Sequence, residues 1–137
     1  MTEPMKVRWG WLRFIYIYTL VGAGGAGLGV LVAPEAMKSA LRLPTQDPVV
    51  YGVFGSVYLA FALLSILGLR SPLRFSPVLL LQLCYKVIWL IGVILPMWIE
   101  RGLPTHALIL AVIFVSYVIG DLIAIPFGYV FRSSSDS

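Results

Sequence analysis

The chain has 137 residues, 60% of them hydrophobic and 12% charged, with a mean hydropathy of +0.95. Soluble domains carry about 25% charged residues, so this composition excludes a water-facing globular surface and points to lipid as the solvent. The net charge of +4 comes without a Lys/Arg-rich run, which argues against a nucleic-acid partner. The single cysteine, Cys84, excludes an intramolecular disulfide and a CxxC redox pair.

Residues 1–13 form a short basic lead with Trp9 and Trp11, a composition typical of the membrane interface. The first predicted span covers 12–32. It is read as a span and not as a cleaved leader, because its apolar run is long enough to cross and no A-x-A site follows. Its middle, 22–29, is rich in glycine. Gly22, Gly25 and Gly29 are expected to form a helix-packing face, with Gly25 and Gly29 in GxxxG spacing. No βαβ context surrounds these glycines, so a nucleotide loop is a poor reading.

Ala33-Pro34 ends the span. Residues 34–43 place Met37, Ala40 and Leu41 on one side and Glu35, Lys38, Ser39 and Arg42 on the other. This pattern predicts a short interfacial amphipathic helix. After the turn 45–48, a second span covers 49–69, where Gly52 and Ser56 repeat the small-xxx-small spacing expected to meet span 1. The third span covers 76–98 and the fourth 105–131, followed by a polar tail expected to be disordered.

Four spans of about 20 residues match a hydrocarbon core of about 30 Å. The fold class is therefore an all-α, four-span antiparallel bundle forming one membrane domain. Lys6, Arg8, Arg13, Arg70, Arg74 and Arg132 share one side, against Lys38, Arg42 and Arg101 on the other. The asymmetry predicts both termini in the cytoplasm, with a bacterial inner membrane as the expected location.

Two ionisable residues lie inside the apolar runs. Lys86 follows Arg74 by twelve residues and Asp121 precedes Arg132 by eleven, or about 18 and 16 Å of helix. That places them at similar depth on spans expected to be neighbours, and predicts a Lys86–Asp121 pair. Gln82, Trp89, Tyr58 and Tyr117 fall on matching faces and levels, so they are expected to line a polar midplane cavity. The same residues serve equally well as glue between helices; intramembrane ionisable groups are otherwise functional candidates by default.

Catalytic sets are not apparent. His106 is the only histidine, which leaves this chain without a bis-histidine haem site and with too few zinc ligands. Cys84 in apolar surroundings is read as inert.

Span 1, the proline-led amphipathic stretch 34–43, and a span 2 ending in the Leu-Gly-Leu-Arg turn at 67–70 together resemble the DoxX-like group of small four-span membrane proteins. The resemblance implies the same four-span layout and a possible setting beside membrane oxidoreductases that meet quinone. It carries over no functional residue. Small multidrug exporters use a carboxylate in span 1, which is missing here, and thiol-dependent quinone reductases need the absent CxxC. Three functions stay open: a non-catalytic subunit or accessory of a membrane complex, or of a homo-oligomer; a binder of a quinone- or lipid-like molecule; and a proton- or ion-coupled transporter.

Overall fold

A computed structural model describes residues 7–132. The expectations that rest on Lys6 and on the tail beyond Arg132 fall outside the described residues. The described residues are predominantly helical, with four helices long and apolar enough to cross a membrane. The protein is an integral membrane four-helix bundle with a short helix between the first two spans.

Helix α1 runs Trp9–Val32 and stops at Ala33 (φ −134°, ψ 64°), where the ring of Pro34 disfavours helical backbone in the preceding residue. Pro34 then opens α2, Pro34–Leu41, because proline's fixed φ suits a first helical turn. The element ends two residues before the expected boundary. Arg42 turns left-handed at φ 57°, and its N–H closes on the carbonyls of Lys38 and Ser39. Asp47 caps α3, Pro48–Arg70, by accepting the Val49 N–H at 3.1 Å.

The third span is longer than predicted. Helix α4, Ser76–Trp89, continues through a π-helical turn at Leu90–Ile94 into α5, Leu95–Arg101. Pro96 supplies the reason: it has no N–H for the carbonyl one turn back, and its ring crowds that carbonyl. The wide turn relieves this, with the Leu95 N–H reaching Leu90 O. Gly102, at φ 78°, ends the span in a conformation that side chains disfavour.

The fourth span is shorter than predicted. Helix α6, Thr105–Ala124, ends before Ile125 (ψ 126°), which is held extended by Pro126, and a single turn, α7, Phe127–Val130, follows. Arg8 Nη1 donates to Ile123 O at 2.9 Å, satisfying one of the carbonyls left open at this helix end.

The bundle is apolar outside and polar at selected points inside. Val21, Leu63, Ile88 and Val112 are 68, 57, 70 and 63% exposed, whereas Thr19, Ser65, Ser76, Gln82, Lys86 and Asp121 are buried. Water would not tolerate this distribution; lipid does.

Helices α1 and α3 pack most closely, and they do so on other glycines than the spacing predicted. A Cβ at Gly27 would lie 2.6 Å from Leu59 N and 2.8 Å from Gly55 O, and one at Gly24 would lie 3.1 Å from Ala62 Cβ. Gly25 and Gly52 meet nothing within 4 Å, and Ser56 is exposed, its hydroxyl donating back to Gly52 O at 2.8 Å. Gly22 faces Tyr117 and Gly29 faces Met37. The GxxxG spacing thus occurs on the wrong side of α1 for the α3 contact.

Candidate functional site

Helices α4 and α6 meet in a regular antiparallel register that places each functional side chain. Gln82 lies against Asp121, Lys86 against Tyr117, and Trp89 against Phe114. Each step is about one helical turn along both partners, so the three contacts form successive rungs.

The first rung is a closed polar knot. Gln82 Nε2 lies 3.2 Å from both Asp121 carboxylate oxygens and 3.3 Å from Thr19 Oγ1. The Thr19 hydroxyl lies 3.4 Å from Gln82 Oε1, so α1, α4 and α6 are tied together at one level. Asp121 and Thr19 are fully buried and Gln82 nearly so.

The second rung differs. The ammonium of Lys86, a residue only 2% exposed, lies over the Tyr117 ring at 4.1 Å from its centroid, with Tyr85 at 4.9 Å and Phe114 at 5.1 Å. Ring faces carry partial negative charge and attract a cation. Among the described residues the salt bridge is Lys38–Glu35, at 3.0 Å on α2; Lys86 and Asp121 share the interior without forming the direct pair expected from the sequence. The reason lies at Pro126. Counting depth from Arg132 assumed unbroken helix, but α6 ends at Ala124. Asp121 is therefore about one turn from the helix end, level with Gln82 and not with Lys86.

Tyr117 is itself fixed. Its hydroxyl donates to Tyr18 O at 3.0 Å, and its ring stacks on Tyr18 with centroids 4.2 Å apart. Gly22 leaves the space that the Tyr117 phenol occupies.

Above this rung lies a cavity of about 250 Å³. Its walls include Ala23 and Ala26 of α1, Phe54 and Tyr58 of α3, and Phe114 and Tyr117 of α6, with Lys86 in the lining. Met37 and Leu41 of α2 also line it, so the amphipathic helix turns its apolar side onto the cavity. Tyr51 helps to seat α2 by donating to Pro34 O at 3.4 Å, and the Lys38 ammonium lies 5.4 Å from the Tyr51 ring. A second cavity of about 300 Å³ shares Phe54, Tyr58, Leu110 and Phe114 with the first, and adds Val57, Tyr85 and Trp89.

Of the residues expected around a midplane cavity, Lys86, Tyr58 and Tyr117 line the first lobe and Trp89 the second, while Gln82 and Asp121 lie in the knot outside both. Thr19, Phe114, Tyr85 and the α2 residues went unrecognised in the sequence. Phe114 had a signal, being three residues before Tyr117 on the same helical face; Thr19 had none beyond being a polar residue in span 1. Among the described residues, no three His, Cys, Asp or Glu side chains gather to hold a metal ion, and Cys84 is exposed. No protein-family model, curated protein or solved structure matches the chain.

Lys86 and the rings around it give the cavity a mixed polar and aromatic lining. The first lobe offers aromatic surface on several sides and one strong hydrogen-bond donor, Lys86 Nζ, which has no acceptor among the described residues. That arrangement can hold an apolar body and orient one acceptor group.

Proposed function

We propose that this protein binds a small amphiphilic, quinone- or lipid-like molecule within the membrane, in the cavity beneath α2. The observation that carries the reading is Lys86, a buried residue whose ammonium opens onto the cavity, lies over ring faces and makes no salt bridge or hydrogen bond among the described residues. A buried donor without an acceptor is costly, and an acceptor on a bound molecule would remove that cost. The aromatic walls suit a flat or branched apolar body. The expected orientation has both termini in the cytoplasm, which puts the α2 side of the cavity toward the opposite face.

The test is organic extraction of protein purified from its native membrane, followed by mass spectrometry. A compound recovered at near one per chain from the wild type and lost from Lys86→Met supports the reading. Equal recovery from both proteins, or ordinary membrane lipid alone from both, contradicts it.

A second reading, that the chain is also a subunit of a larger membrane complex or homo-oligomer, draws on the outward glycines. Gly25 and Gly92 are exposed with nothing within 4 Å of a Cβ, and small lipid-facing residues allow another helix to approach closely. A layout like that of the DoxX-like group would agree with such a role. Co-purification of a stable second protein, weakened by Gly25→Leu while the monomer remains folded, supports it.

A further inference from the structure

We infer that the ligand is a neutral, carbonyl-bearing ring with an apolar chain, and that it occupies both lobes, with the chain in the second. This rests on the proposed Lys86 site and specifies its ligand. The wall between the lobes consists of four side chains, Phe54, Tyr58, Leu110 and Phe114. Rotation of these side chains would join the lobes into one space of ordinary ligand-site size.

Two donors on consecutive residues make no hydrogen bond among the described residues, one in the lining of each lobe. Lys86 belongs to the first lobe and Tyr85 to the second, where the buried Tyr85 hydroxyl lies beside that of Tyr58 without closing a hydrogen bond. A carbonyl oxygen has two lone pairs and can accept from both, which sets the ligand's oxygen at the junction between the lobes. Charge argues for neutrality. The interior already holds one basic group, Lys86, and one acidic group, Asp121. Those two charges already cancel, so an anionic head would leave the interior with a net negative charge, and a cationic head would meet the ammonium. The second lobe, apart from the hydroxyls of Tyr58 and Tyr85, is walled by the apolar surface of Phe54, Val57, Trp89, Leu110 and Phe114. That surface suits a chain, since burying each methylene is favourable.

The experiment titrates purified, delipidated full-length protein with alkyl phenyl ketones of increasing chain length, read by native mass spectrometry, beside alkylbenzenes of equal length. The expected result is about fourfold tighter binding per added methylene until the second lobe is full, then a plateau. The ketones bind about tenfold more tightly than the alkylbenzenes, and Lys86→Met abolishes that advantage. Val57→Phe brings the plateau to shorter chains and Trp89→Ala moves it to longer ones; opposite shifts do not arise from general destabilisation. Ketone preference with a plateau unmoved by either variant overturns the two-lobe inference and leaves the Lys86 site standing. Equal binding of ketones and alkylbenzenes, or no binding at all, overturns the Lys86 site itself.

Discussion

The Asp121 carboxylate is held by the Gln82 amide, whose nitrogen lies 3.2 Å from both of its oxygens, and not by the Lys86 ammonium one turn away. The acid is thereby satisfied locally, and the base is left facing the cavity. Gln82→Leu removes the donor and strands a buried carboxyl, with an expected cost of about 1–3 kcal/mol. Asp121→Asn keeps an acceptor for the same amide and costs less. Thermal unfolding in detergent should rank the wild type first, Asp121→Asn second and Gln82→Leu last.

Glycines at the α1–α3 contact are predicted to be intolerant where backbone lies opposite. Gly27→Ala places a methyl 2.6 Å from Leu59 N, which no side-chain rotation relieves, so a loss of about 1–3 kcal/mol is expected. Gly25→Ala and Gly52→Ala meet open space and gain helix propensity, so they should be neutral or slightly stabilising. Unfolding midpoints of the three variants check this directly.

Helix α2 is predicted to stay on α1. A Cβ at Gly29 would stand 3.7 Å from Met37 Cβ, inside the range of about 3.5–4.5 Å that a disulfide requires. In a Cys84→Ser background, the Gly29→Cys/Met37→Cys pair should cross-link on mild oxidation, seen as a change in mobility or in intact mass reversed by reductant. Gly25→Cys/Met37→Cys serves as the negative control, because Gly25 faces away.

The orientation is predicted from the basic residues. In the same cysteine-free background, Ser71→Cys should react with an impermeant maleimide only after the cytoplasmic face is opened, and Thr45→Cys should react in intact cells.

Composition and patterning were enough to read the four spans, the interfacial helix and the antiparallel order, because lipid imposes a long apolar run on each crossing helix. Register was harder. The break at Ile125-Pro126 shortens the axial distance from Asp121 to Arg132, and the π-turn at Leu90–Ile94 changes the residue count between Lys86 and the loop, neither of which a depth count along regular helix includes. The glycine faces illustrate a similar limit. GxxxG spacing identifies a side of a helix that permits close approach, but the partner selects the side, and α3 lies on Gly24 and Gly27. The cation–ring contacts of Lys86 also escaped, since aromatic residues in an apolar run read first as packing. Lys86 itself stood out in the sequence as a charge in an apolar helix, and the structure places it in the cavity lining.

On the proposed reading, a bound molecule supplies Lys86 with the acceptor that the described residues do not. A density map of the protein purified from its native membrane tests it most directly. Non-protein density is expected in the cavity beneath α2, with an acceptor atom about 2.7–3.2 Å from Lys86 Nζ. An empty, collapsed cavity with Lys86 turned onto Asp121 would contradict it.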